Sequence, residues 1–183
     1  IHDFWHCGSG RGEGSHADAL VDRDVCGLPY VPGRTLKGLL REALAFLEQQ
    51  QALPVTTSAL LFGHAAQPGA TRHDSQPGFL AISDARLPAE VSHWLATPGG
   101  AVHRHALFRT IYSTALDDSG VAKDKSLRGI EVAVPLELEC EVSGPEGTNW
   151  SEFLQQAFPL VRAVGGHRQR GLGRCTLAWR KVS

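Results

Sequence analysis

Three groups of residues in this chain have the types and spacing to do chemistry. The first is acidic. Asp18, Asp22 and Asp24, with Glu13 nearby, lie in the stretch GEGSHADALVDRD. Carboxylates so placed can hold Mg²⁺ or take a proton from a ribose 2′-hydroxyl. The plainer alternative is a solvated acidic loop with one aspartate paired to Arg23. The second group is the run Gly165-Gly-His-Arg-Gln-Arg-Gly-Leu-Gly-Arg174, with three arginines and four glycines in ten residues. Glycines let main-chain N–H groups approach a phosphate, and Arg168, Arg170 and Arg174 add forked cationic donors. This reads as an RNA contact, with an ordinary basic turn as the alternative. The third group is Arg34, Lys37 and Arg41 at the start of a helix. Lys37 and Arg41 stand four apart and project from the same side. A cation in a first turn opposes the helix dipole, and a bound anion would relieve that conflict. A solvated lysine on a surface helix is the competing reading.

Histidine is abundant. His103 and His105 would share one side of a strand, a spacing that can bind metal, but no third ligand is evident and surface or structural histidines are the favoured reading. His16 and His167 are further candidates for RNA contact or proton transfer.

These groups need elements to hold them. Residues 1–7 read as a short strand running into Gly8, Gly10, Gly12 and Gly14. Residues 35–49 read as a helix, because Leu36, Leu39, Leu40, Ala43, Leu44 and Leu47 repeat at one-face spacing, and Thr35 can cap it. Residues 78–87 read as a second strand. Residues 130–142 alternate apolar and polar with period two, with Pro135 marking an edge or bulge. Residues 151–164 read as a helix kinked at Pro159, and 174–182 as a last strand carrying Cys175, Leu177 and Trp179 on one face. The order is βαββαβ, an α+β, ferredoxin-like arrangement shared with RNA-recognition domains. Residues 1–183 then form a single domain. Two insertions decorate it, one over 8–32 and one over about 88–129. The flanks of Asp117-Asp-Ser-Gly120, within residues 108–128, are placed as an extended hairpin projecting from the sheet.

Composition narrows the function. The net charge of -1 argues against a nonspecific nucleic-acid binder with a broad positive field, while allowing one local basic groove. Hydrophobic content of 42% suits a packed core, and no apolar run reaches membrane-spanning length. Cys7, Cys26, Cys140 and Cys175 form no CxxC pair, which speaks against a zinc ribbon or disulfide framework and for a reducing cytoplasm. The chain lacks methionine, so it is expected to start inside a longer product, trimmed or fused.

Taken together, WHCGSGRG, DALVDRD, GLPYVPGRTLKGLLREAL, LLFG, GFLAISDARL, SLRGIEVAVPLELECEV and GGHRQRGLGR resemble the RAMP superfamily over nearly the whole chain. More narrowly, they resemble the backbone subunit of type III CRISPR effector complexes. The most specific markers are PYVPGRTLKG and the distal GGxxxxGLGR. The resemblance implies a modified RRM-like palm that oligomerises along a CRISPR guide RNA, and a thumb, here about residues 109–125, that displaces bases at intervals. It implies guide contacts at Arg34, Thr35, Lys37 and Arg41, and at Gly165, Gly166, His167, Arg168, Arg170, Gly171, Gly173 and Arg174. It also implies an aspartate that cuts target RNA opposite each displaced base. Counting back from Arg23-Asp24, that aspartate is Asp18, as base or as ligand of Mg²⁺ (or Mn²⁺). Asp22 stands where the family usually has an apolar residue. Two departures stand out: Arg34-Thr35 replaces the usual pair of serines, and the thumb reads LDDSG. The implied partners are guide RNA, target RNA and other effector subunits, copies of this chain or related domains included, with no membrane. The rival readings are a non-cutting scaffold of the same fold, a metal-independent ribonuclease that processes CRISPR precursor RNA through histidine, and a protein-interaction domain without RNA.

Overall fold

The computed structural model describes residues 1–8, 10, 19–64, 76–115, 117–123 and 126–180. Helix and strand are mixed, in the order α1 (Gly33–Gln49), α2 (Thr57–Phe62), β1 (Gly63–His64), β2 (Gln76–Pro77), β3 (Ala81–Ile82), α3 (Ala89–Ala96), α4 (Pro98–Ala101), β4 (Phe108–Ser113), β5 (Arg128–Ala133), β6 (Val142–Ser143) and α5 (Trp150–Ala157). The strands pair as three two-stranded antiparallel sheets, β1–β2, β3–β6 and β4–β5. The chain forms two compact units. The first contains Ile1–Val31, Arg86–Glu139 and Ala163–Arg174; the second contains Pro32–Ala85, Cys140–Arg162 and Cys175–Ser183.

In the first unit the opening segment is extended and bonded on both sides. Trp5 exchanges backbone hydrogen bonds with Ala133 at 3.0 and 2.8 Å. On the other side, the His2 N–H donates to Arg174, the Gly173 N–H to the Phe4 carbonyl and the Gly166 N–H to the His6 carbonyl. Residues 1–7 lie between residues 133–134 and 166–174 but do not form the expected regular strand: an isolated bridge, Trp5–Ala133, is the pairing within them. Trp5 is fully buried, and its Nε1–H donates to the Val134 carbonyl at 2.8 Å, so the indole leaves no orphan donor. Val21, Val132, Ala133 and Val164 are buried in this unit too. Leu28, Leu87 and Leu95 form a satellite cluster.

The second unit is organised by α1. Leu36, Leu40, Ala43 and Leu44 are its buried stripe, as the spacing predicts, and the helix packs on α2 and α5. Each buried leucine contributes roughly 2 kcal/mol through area removed from water. The helix begins two residues early, at Gly33. A Cβ there would lie 2.4 Å from the Ile82 carbonyl oxygen, so only glycine lets the helix start press on β3.

Several expectations need correction. The strand over 130–142 stops at Ala133; Pro135 has no N–H to continue a ladder. The strand over 78–87 shrinks to Ala81–Ile82, with an isolated bridge from Arg86 to Glu139. The helix over 151–164 ends at Ala157 and tightens into a 3-10 turn over Phe158–Leu160, so Pro159 terminates rather than kinks it. Residues 174–180 form no regular strand; Trp179 stands edge-on to Trp150. Within the insertion over 88–129, α3 and α4 were not foreseen, whereas the hairpin was: β4 and β5 pair over six residues each.

Candidate nucleic-acid interface

The Gly165–Arg174 loop is held from beneath by the opening segment. Gly165 has φ +82°, and a Cβ on it would lie 2.3 Å from the His6 carbonyl oxygen and 3.2 Å from Cys7 Sγ. Both the backbone sign and the lack of room demand glycine. The Gly166 N–H then donates to the His6 carbonyl at 2.7 Å, and the Val164 N–H to the Gly173 carbonyl at 2.9 Å, closing the loop at both ends. His167 and Gly171 are left-handed and bracket a 3-10 turn, Arg168–Arg170. That turn is exposed, so Arg168 and Arg170 stand in solvent on a fixed backbone. Arg174 differs. Its Nε lies 3.0 Å from Asp3 Oδ2, and a second bond at 3.3 Å joins the same carboxylate. The sequence puts three equivalent arginines in this loop; one of them already has an anion.

His6 is the supporting residue that sequence reasoning missed. It is buried, and its Nδ1 donates to the Glu131 carbonyl at 2.7 Å. A carbonyl only accepts, so Nδ1 carries the hydrogen of this bond. The His6 ring stands edge-on to His167 at 6.3 Å. Below it, burial and then the Asp22 carboxylate push the Cys7 thiol up to about 12. The one signal in the sequence was a histidine set between the apolar Trp5 and Cys7.

At the start of α1, Arg34 and Arg41 are exposed and Lys37 is half-buried. Thr35 does not cap: Pro32 holds the cap position, without a side-chain hydrogen bond. The expected conflict between Lys37 and the helix dipole is met by the protein itself. The Gly33 N–H donates to Asp84 Oδ1 at 2.9 Å, placing a carboxylate at the positive end of the helix. The Thr35 and Leu36 N–H groups turn back to the Pro32 carbonyl.

Asp18, Glu13 and His16 lie outside the described residues. The described acids of that stretch are structural. Asp22 accepts from the Tyr30 hydroxyl at 2.9 Å and the Arg23 N–H at 3.1 Å. Asp24 accepts from the Cys26 and Leu28 N–H groups at 2.9 Å each and pairs with Arg86. Arg23 pairs with Glu131 rather than with an aspartate of its own loop. Asp22 and Asp24 thus each hold internal donors, with both of their carboxylate oxygens in use. No three His, Cys, Asp or Glu side chains gather as a metal site among the described residues. His103 and His105 are not on a strand: His103 stacks on Trp94 and His105 lies in a 3-10 turn, Arg104–Leu107. At the hairpin tip, Asp117 accepts from the Ser119 hydroxyl and from the Ser119 and Val121 N–H groups, which holds its carboxyl below the usual range.

The chain matches the profile of the RAMP superfamily over residues 2–176 and belongs to that superfamily. Two solved structures share its fold. One is a chain of a type III-B Cmr-beta complex in the apo state, 14% identical with TM-score 0.69, the match covering 98% of this chain and 95% of that one. The other is a chain of type III-B Cmr-beta bound to cognate target RNA, 13% identical with TM-score 0.68, covering 94% and 92%. A search of curated proteins finds no match. Among the described residues, no helix is long and apolar enough to cross a membrane.

Proposed function

We propose that this chain is an RNA-binding backbone subunit of a type III CRISPR effector complex, contacting guide RNA and, through it, target RNA beside other effector subunits. One observation carries the reading: a glycine loop fixed by His6 and Phe4 holds Arg168 and Arg170 out in solvent with no acidic partner among the described residues. The planar guanidinium fork is preorganised, so it loses less entropy per bond on meeting phosphate and can give two bonds. Membership of the RAMP superfamily, and likeness in fold to chains of type III-B Cmr-beta complexes, support the same reading.

The finer proposal is that the subunit also cuts target RNA, with Asp18 as the reacting carboxylate. The ribose 2′-hydroxyl attacks the neighbouring phosphorus, Asp18 takes its proton, and the 5′-oxygen leaves and is protonated. Mg²⁺ (or Mn²⁺) would neutralise charge growing on the phosphate oxygens. The scaffold reading has its own support, since Asp22 and Asp24 are committed to internal partners. Cleavage of a labelled target by the assembled complex with Mg²⁺ separates the two. Asp18→Ala is expected to keep guide and target binding and to slow cutting at least ~100-fold. Equal cutting by both proteins leaves the scaffold. Cutting that survives EDTA points to histidine chemistry.

A further inference from the structure

A second basic feature of the first unit lies apart from the Gly165–Arg174 loop and the start of α1. Arg23, Arg104, His105, Phe108 and Arg109 line an open depression of about 640 Å³, with Glu131 as the one acid in its wall. Glu131 is spent: its two oxygens accept from Arg23 and from the Val21 N–H. The other cations have no acidic partner among the described residues. What holds them is uncharged. The Arg104 Nε–H donates to the Leu95 carbonyl at 2.7 Å, and Arg109 Nη1 donates to the Phe108 carbonyl at 2.7 Å. Carbonyl oxygens orient a guanidinium without cancelling its charge, and leave its remaining N–H groups free to donate. Arg23 is fixed as well, its guanidinium 3.8 Å above the Phe108 ring.

Arg104 and Arg109, preset around one concavity beside the Arg23–Glu131 pair, leave uncancelled positive charge that favours an anion. A bridging oxyanion with several acceptor oxygens matches forked donors from different directions. We infer that this depression seats a backbone phosphate of a single-stranded RNA, as a contact separate from the Gly165–Arg174 loop. This rests on the RNA-binding reading and extends it to a second subsite. The two features share no residue.

The test is fluorescence anisotropy of a labelled single-stranded RNA with the purified full chain across a salt series. Three proteins are compared with the parent: Arg104→Ala with Arg109→Ala, Arg109→Glu alone, and Arg168→Ala with Arg170→Ala. Arg109 is exposed, so Arg109→Glu leaves folding intact even where loss of the Arg104 bond does not. Both depression variants are expected to bind at least tenfold more weakly. The salt slope should fall by about 0.7 for each phosphate that is no longer neutralised. If they bind like the parent while the loop variant weakens, the depression is not an RNA site although the RNA reading stands. If the parent itself binds no RNA, the reading and this subsite fall together. If RNA binding is unchanged but a poly-glutamate peptide is no longer held, the depression is a protein-docking surface and the inference is overturned.

Discussion

The Gly165–Arg174 loop and the Pro32–Arg41 helix start look alike in sequence, each a glycine turn followed by spaced cations. They treat charge differently. At the helix start, Asp84 already occupies the positive end of α1. In the loop, Arg174 is paired to Asp3, while Arg168 and Arg170 face solvent with no acidic partner among the described residues. A basic motif marks a phosphate site only where the fold has not supplied its own anion. Arg174, Arg86 and Arg23 pair with Asp3, Asp24 and Glu131, each of them far away in sequence.

The strongest challenge to this contrast is Gly165→Ala. The substitution forces a left-handed non-glycine residue, costing about 1–3 kcal/mol, and drives a Cβ onto the His6 carbonyl. The expected outcome is a marked drop in melting temperature together with loss of RNA binding. A loop that tolerates alanine with full binding is not seated as described.

A smaller effect is expected at the helix start. Asp84→Ala removes the acceptor for the Gly33 N–H and should cost roughly 1 kcal/mol in urea unfolding. Affinity for RNA should stay equal or rise, because a competing carboxylate has gone. A fall in affinity would mean that Asp84 positions an RNA contact rather than occupying one.

The smallest effect is kinetic. Cys7 lies under Gly165 with its thiol pushed up to about 12 by burial and then by Asp22. At pH 8, iodoacetamide should label exposed Cys26 and leave Cys7 untouched until the loop lifts. The neutral thiol is favoured by folding, so its stabilising effect is complete below the unfolded value near 9 and is lost as pH rises toward 12. Alkaline melts should show that decline, and a Cys7→Ser chain should show less of it.

Much of the frame was legible in the sequence. α1 declared itself because Leu36, Leu40 and Leu44 bury one stripe of a long helix, and the β4–β5 hairpin because a turn at Asp117-Asp-Ser-Gly120 separates two β-prone arms. The alternation over 130–142 misled beyond Ala133, since period two records which way side chains point and not whether the backbone finds a partner. α3 and α4 were too short, at eight and four residues, to show a helical period. The loop at 165–174 was found from composition alone, yet its support by His6 was not, because that contact joins residues over a hundred and fifty positions apart. The partners that hold Asp22 and Asp24 were hidden too: Tyr30 donates to the one and Arg86 pairs with the other. Asp18, singled out by the family resemblance, lies outside the described residues and stays a matter for mutation.

The most direct measurement of the central claim is the salt-dependent RNA affinity of Arg168→Ala with Arg170→Ala, set beside Lys37→Ala with Arg41→Ala. The loop pair is expected to lose at least tenfold in affinity and about 1.4 in salt slope, with the melting temperature unchanged, and the helix pair to lose less. A loop pair that binds RNA with the parent's affinity and slope would contradict the assignment of this loop as the RNA contact.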